Sequence, residues 1–181
     1  ATALPGLALE SGVPSSLRTL VVVPTMLTNG AELTEQLEGL EAHYLSGAQG
    51  DVTFAILTDG LDAPGQDMPE DAPLVALIDV EVARLNQVYG AGPAGARFLH
   101  LHRDRRYNAA EQIWMGWERK RGKLHELNRL LRGADDTDYR TAEGHVPAVP
   151  PGVRYVLTLD SDTQMPRDAA LRLIGKMAHP L

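Results

Sequence analysis

Four short runs of apolar, mostly β-branched residues, separated by segments of helical periodicity, constrain this chain more than any other feature. Arg18-Thr-Leu-Val-Val-Val-Pro24 has the look of a strand buried on both faces, and Asn29-Gly30 ends it. The stretch 31–45 then carries Leu33, Leu37, Leu40 and Tyr44, the spacing of an amphipathic helix. Val52 to Leu57 is a second buried strand, closed by Thr58-Asp59-Gly60, and Leu61 to Pro73 is a loop rich in Pro, Gly and Asp. A helix is expected from Val75 to Tyr89, a third strand from Phe98 to His102, and one long helical pattern from Ala109 to Leu131 with a break near Gly122. Residues 133–152 set Pro147, Pro150, Pro151 and Gly152 beside Ala134-Asp135-Asp136, a composition that predicts a flexible excursion far from any ligand. Val153 to Leu159 is the fourth buried strand, and Arg167 to Met177 a last helix after Pro166. Strand and helix in strict alternation predict an α/β fold with a mostly parallel sheet flanked by helices. Such sheets bind ligands beyond the carboxyl ends of their strands, where Thr25, Asp59 and Asp160 fall.

With 181 residues, 44% of them hydrophobic, one core is expected, with 1–17 as a leader and 18–181 as a single folded unit. The net charge of −7 argues against a general nucleic-acid binder. Charge is uneven: residues 1–96 hold 2 basic and 13 acidic side chains, whereas 97–132 hold 10 basic and 4 acidic. The basic stretch reads either as a solvated helix face or as a wall for a polyanion such as a diphosphate. There are no cysteines, so disulfides and thiolate metal sites are excluded. No run approaches the roughly 20 apolar residues that span a bilayer, and no signal peptide opens the chain. Ala1 and the unfinished helical pattern at Leu181 suggest a piece of something longer.

The strongest chemical signal is Leu159-Asp160-Ser161-Asp162-Thr163, directly after a strand. Carboxylates at i and i+2 on a turn can converge on a divalent cation, and Mg2+ or Mn2+ suits such oxygen ligands shared with substrate phosphates. The same residues also read as a helix N-cap before Pro166. A phosphatase of the haloacid dehalogenase type is a further reading, weakened because Gln164 stands where that pattern wants Thr or Val. About 35 residues earlier, Gly122-Lys123-Leu124-His125-Glu126-Leu127-Asn128 offers a Lys near a helix start and a polar Asn, unless both simply lie on the wet side of a helix. His100 and His102 share a strand face without a third ligand at metal spacing, and packing is the expected role. Trp114 and Trp117 are a sugar platform or, more simply, packing. Arg103, Arg105 and Arg106 follow a strand end, either solvated or reaching phosphate.

Taken in order, the strand ending in Pro-Thr, the strand ending in Asp59, the Gly-Lys-x-x-x-Leu-Asn stretch and the Asp-x-Asp resemble the inverting glycosyltransferases of the cellulose and chitin synthase type. More narrowly, Trp114-Met-Gly-Trp-Glu-Arg-Lys-Arg-Gly-Lys-Leu-His-Glu-Leu-Asn128 and Tyr155-Val-Leu-Thr-Leu-Asp-Ser-Asp-Thr-Gln-Met-Pro-Arg-Asp-Ala169 are similar to the cyclic β-1,2-glucan synthases. The resemblance implies a Rossmann-like GT-A nucleotide-sugar-binding fold, truncated after the Asp-x-Asp strand and its helix, with UDP-glucose as donor and a growing β-1,2-glucan as acceptor. It implies a parent anchored at the cytoplasmic face of the bacterial inner membrane, this piece being soluble. By position, Thr25 and Asp59 would touch the uridine, Lys123 and Asn128 belong to the donor pocket, Asp160 meets the sugar or ribose and the metal, and Asp162 the metal. The base that deprotonates the acceptor is expected beyond Leu181, so no catalytic residue is assigned here and the isolated piece is expected to be inactive. A non-catalytic nucleotide-sugar-binding module is the alternative.

Overall fold

The computed structural model describes residues 12–47, 49–160 and 169–179. Its elements run β1 (Thr19–Leu27), α1 (Gly30–Leu45), β2 (Val52–Gly60), α2 (Asp71–Tyr89), β3 (Phe98–Arg103), β4 (Arg106–Asn108), β5 (Ile113–Met115), α3 (Arg119–Leu131), β6 (Tyr155–Thr158) and α4 (Ala169–Ala178). β3, β2, β1 and β6 lie side by side in that order, with Val21 registered against Phe54 on one side and Leu157 on the other. Every pairing in this sheet is parallel, and β1 and β2 are buried almost throughout, whereas β6, expected as a fourth buried strand, is an edge strand half-buried at Tyr155 to Leu157 and exposed at Thr158.

Alternation along each strand divides the core in two. Val21, Val23, Phe54, Ile56 and Phe98 face α1, α2 and α4 through Leu33, Leu37, Ile78, Val82 and Ile174. Leu20, Val22, Ala55, Leu57 and Leu101 face Leu127 and Leu130 of α3 and the ring of Tyr139. The steps from β1 to β2 and from β2 to β3 move in one direction across the sheet, and their helices share a face. The return from β3 to β6 moves the other way, so a crossover of the same hand must place α3 on the opposite face. β1 is therefore the strand at which the sheet order turns back.

Three expectations need correction. The pattern from Ala109 to Leu131 is not one helix: β4 and β5 form a hairpin, and α3 begins only at Arg119. The hairpin is fixed from outside, because Ala63 and Trp114 exchange two backbone hydrogen bonds of 2.9 Å each. Gly122 lies inside α3 without breaking it, and a Cβ there would overlap the Trp117 carbonyl oxygen. Second, α2 starts at Asp71 rather than Val75, with Pro73 in the first turn, where its missing N–H costs nothing. The third correction concerns 133–152, which does not stand off from the fold along its whole length. The Asp104 amide donates to the Asp138 carbonyl at 2.8 Å, Arg140 to that of His102 at 3.1 Å, and Tyr139 is fully buried. One large aromatic among polar residues is enough to anchor the segment against α3. Of the leader, residues 1–11 lie outside the described residues, while Val13 is buried and bridges to Gly50.

Candidate functional site

Beyond the carboxyl end of β1, α1 and α3 part to opposite faces and leave a cavity of about 310 Å3, lined by the strand end Pro24 to Met26, Thr28, Glu32 and Gln36 of α1, and Lys120 and Lys123 of α3. Asn29 shapes one wall by capping α1, its side chain accepting from the Glu32 amide at 3.0 Å. The other wall depends on how α3 begins. Glu118 and Arg119 both hold φ near +51°, an unfavourable region for side-chained residues, and the sharp turn aims the first turn of α3 across the end of β1.

What holds that turn is Arg103, a residue the sequence left between solvent and phosphate. Its side chain is completely buried, and all five of its N–H groups are matched. Nε and one Nη2 hydrogen meet the two oxygens of Asp59 at 2.8 and 2.9 Å, and Nη1 meets Glu126 at 2.5 Å. The remaining two donate to the carbonyls of Trp117 and Arg119, at 2.9 and 3.0 Å. Burial opposes the guanidinium charge, but the bonds and charges of Asp59 and Glu126 outweigh it and raise its pKa. Gly116 makes room for the pair, because a Cβ there would stand 2.7 Å from the Asp59 carboxylate and 2.8 Å from Arg103.

Lys123 completes a buried, charge-neutral quartet. Its ammonium lies 3.3 Å from Asp59 Oδ2 and donates to the Thr25 carbonyl at 3.2 Å. Burial lowers its pKa, while the charge of Asp59 pulls the other way. Glu126 is held in turn by the Asp138 amide at 2.7 Å, and the Tyr139 hydroxyl donates to the Lys123 carbonyl at 2.8 Å. The docked part of 133–152 thus supports the same helix turn from behind.

Of the residues expected at a donor site, Thr25, Asp59 and Lys123 converge. Asp59 does not line the cavity; both its oxygens point into the quartet, and it reaches the cavity only through Lys123. Thr25 does line it, and its buried hydroxyl has no hydrogen-bond partner among the described residues. Asn128 is exposed, well along α3 and apart from this group. Asp160 follows β6, 63% exposed, and its carboxylate forms an ion pair with Lys120. Asp162 lies outside the described residues. Among the described residues no three acidic, His or Cys side chains gather as a metal site. Asp160 supplies the hard-oxygen chemistry that Mg2+ or Mn2+ takes, yet its present partner is an ammonium.

Sequence reasoning missed Lys120, one turn before Lys123 on the same helix and the more exposed of the two ammonium groups at the cavity. The i, i+3 spacing was the available signal. It also missed Glu126. Arg105 is not available to a phosphate, because it is buried and spent on Asp71 and the Leu61 and Gln66 carbonyls. Arg106 stays exposed and lies over the Trp117 ring at 5.2 Å, so Trp117 packs with a guanidinium rather than standing bare. His100 and His102 are joined by Thr58 into a hydrogen-bonded chain.

A four-stranded parallel sheet with helices on both faces, and a cavity where its strand order turns back, defines an α/β protein of the Rossmann-like class. Over 178 residues, 98% of this chain, it is 46% identical to "Cyclic beta-(1,2)-glucan synthase NdvB" of Rhizobium meliloti (strain 1021). The match spans 6% of that protein's length. No family model matches the chain. Along nearly its whole length, then, the chain is similar to one small segment of a cyclic β-1,2-glucan synthase, as its two long motifs implied. No helix among the described residues is long and apolar enough to cross a membrane.

Proposed function

We propose that the chain is the donor-binding part of a glucosyltransferase region, which holds UDP-glucose for inverting transfer to a growing β-1,2-glucan. The observation that carries this reading is the cavity at the turning point of the sheet, lined by Lys120 and Lys123 on one side and by Pro24, Thr25 and Met26 of the strand end. Lys120 is the side chain best placed to meet diphosphate charge; Lys123, with Asp59 behind it, fixes the floor. Mg2+ or Mn2+ would be held by Asp160, Asp162 and the diphosphate, and when bound it supplies charge neutralisation for the leaving group. In transfer the bond from the anomeric carbon to the diphosphate oxygen breaks, the acceptor oxygen bonds to that carbon from the opposite side, and the acceptor proton passes to a base. We place that base outside residues 1–181, on a parent held at the cytoplasmic face of the inner membrane. That the relative is a synthase supports transfer over the phosphatase reading.

Calorimetric titration of UDP into the chain tests this. Binding is expected to be weak alone and stronger with manganese, to weaken in Lys120→Met, and to lose its manganese dependence in Asp160→Asn. Equal affinity with and without manganese would remove the metal from the reading, and no UDP binding under any condition would remove the donor site.

A further inference from the structure

A second cavity of about 400 Å3 lies on the far side of the molecule from the β1–β6 junction, between edge strand β3, the first turns of α2, the loop after β2 and residues 140–142. Nothing in the donor-site reading uses it. Ala72, Val75 and Ala76 of α2 and Met68 supply an apolar wall; His102, Asp104, Asp67, Asp79 and Arg140 supply polar edges.

His102 is the best-defined of these groups. The exposed Asp79 carboxylate bonds His100 Nδ1 at 2.7 Å, His100 Nε2 bonds the Thr58 hydroxyl at 2.7 Å, and that hydroxyl bonds His102 Nδ1 at 2.8 Å. In the arrangement in which Asp79 accepts from His100 Nδ1–H, His100 Nε2 accepts from the Thr58 hydroxyl. Thr58 oxygen then accepts from His102 Nδ1–H, and His102 Nε2 is left as a fixed acceptor at the cavity. Among the described residues that nitrogen has no hydrogen-bond partner.

The remaining charges choose the ligand class. Arg103 and Arg105, although they border the cavity, are consumed by Asp59, Glu126, Asp71 and backbone carbonyls. Asp67, Asp79 and Asp104 outnumber Arg140, so a phosphate or other anion is disfavoured. Among the described residues no Phe, Tyr or Trp lines the cavity, so a stacked nucleobase is disfavoured too. Carboxylates, an imidazole acceptor and a guanidinium beside an apolar wall match a neutral ligand rich in hydroxyls, with donors and acceptors alternating over a hydrophobic face. We propose that this cavity is a saccharide-binding subsite, separate from the donor cavity, in which His102 Nε2 accepts from a sugar hydroxyl. The choice of a glucan rests on the function proposed above; the existence of the subsite does not.

The test uses the whole 181-residue chain and two probes, a linear β-1,2-linked gluco-oligosaccharide and UDP with manganese, followed by heteronuclear NMR including the imidazole nitrogens. The oligosaccharide is expected to shift residues 67–76, 102–104 and 140–142 saturably and to move the His102 Nε2 resonance, without displacing UDP. Ala76→Trp, which fills the cavity from the exposed side of α2, is expected to abolish those shifts while leaving UDP binding unchanged. His102→Phe is expected to weaken oligosaccharide binding about tenfold, the equivalent of one hydrogen bond. Oligosaccharide shifts confined to the donor cavity, binding that survives Ala76→Trp, or no binding at all would each overturn the subsite, as would capture of a polyamine in preference to the sugar. Loss of UDP binding with the subsite intact would instead count against the donor reading alone.

Discussion

Replacing Arg103 with Met removes the one side chain that reaches β2, α3 and the turn between β5 and α3 at once. Met keeps the stem and its packing, so the change isolates the guanidinium. Five N–H donors vanish, leaving the Trp117 and Arg119 carbonyls without them, Asp59 with Lys123 alone, and Glu126 buried at 3% exposure with no counter-charge. Removing one partner of a buried ion pair costs about 3–5 kcal/mol, because the other charge stays desolvated. A domain of this size has only about 5–15 kcal/mol in total, and each 1 kcal/mol moves the midpoint by about 2–4 °C. The variant should therefore melt about 6–20 °C lower, with Trp114 and Trp117 fluorescence and circular dichroism in urea giving the free energy directly. Adding Glu126→Gln should restore part of the loss, since the orphaned charge is then gone while the Asp138 amide still finds an acceptor. If Arg103→Met lost less than about 1 kcal/mol, or if the double variant were less stable than the single by the full cost of Glu126→Gln alone, the quartet would not be a coupled unit.

Gly122→Ala should destabilise the chain and weaken UDP binding together, because its Cβ would force the Trp117 carbonyl and the turn before α3 to move; urea denaturation and calorimetry on one preparation check both. Burial first, and then the neighbouring His100, lowers the His102 pKa to about 4, against 6.5 for an exposed imidazole, so the unfolded chain binds the extra proton first. Stability should hold above pH 6.5, fall between there and about pH 4 by up to about 3 kcal/mol, and His102→Gln should flatten that fall in pH-dependent urea melts. Limited proteolysis should cut within 142–152 before 135–141, since the latter run pairs with β3 and buries Tyr139; early cleavage beside Tyr139 would contradict that packing. With radiolabelled UDP-glucose and a glucan acceptor, the isolated chain should form no β-1,2-glucan; product formation would place a base among its own residues.

β1 and β2 were legible because burial on both faces writes itself into sequence as an uninterrupted apolar run; β3 and β6, the outer strands of the sheet and only partly buried, still fall on shorter apolar runs. The β4–β5 hairpin was not, since Ala109-Ala110-Glu111-Gln112 is good helix material locally and the deciding bonds come from Ala63, some fifty residues away. The interior role of Arg103 was half legible. Leu99, Leu101 and Arg103 share a strand face at a period of two, which pointed the guanidinium toward α3, but sequence cannot show that Asp59 and Glu126 wait there. Thr25 and Asp59 were singled out because each stands at a strand end, and Lys123 joined them through the resemblance of its Gly-Lys-x-x-x-Leu-Asn stretch; Lys120 was overlooked beside a more conspicuous neighbour.

The Lys120–Asp160 ion pair ties the two sides of the sheet's turning point with side chains more than half exposed, above a buried floor whose charges are already balanced. An anion that takes Lys120 releases Asp160, and a cation that takes Asp160 releases Lys120. Each arrival removes the competitor of the other, so the two ions favour one another even before they touch, and by the same amount in either order. A ligand delivered as an anion with its own counter-cation would exchange partners with the pair rather than dismantle it, leaving the count of satisfied charges unchanged.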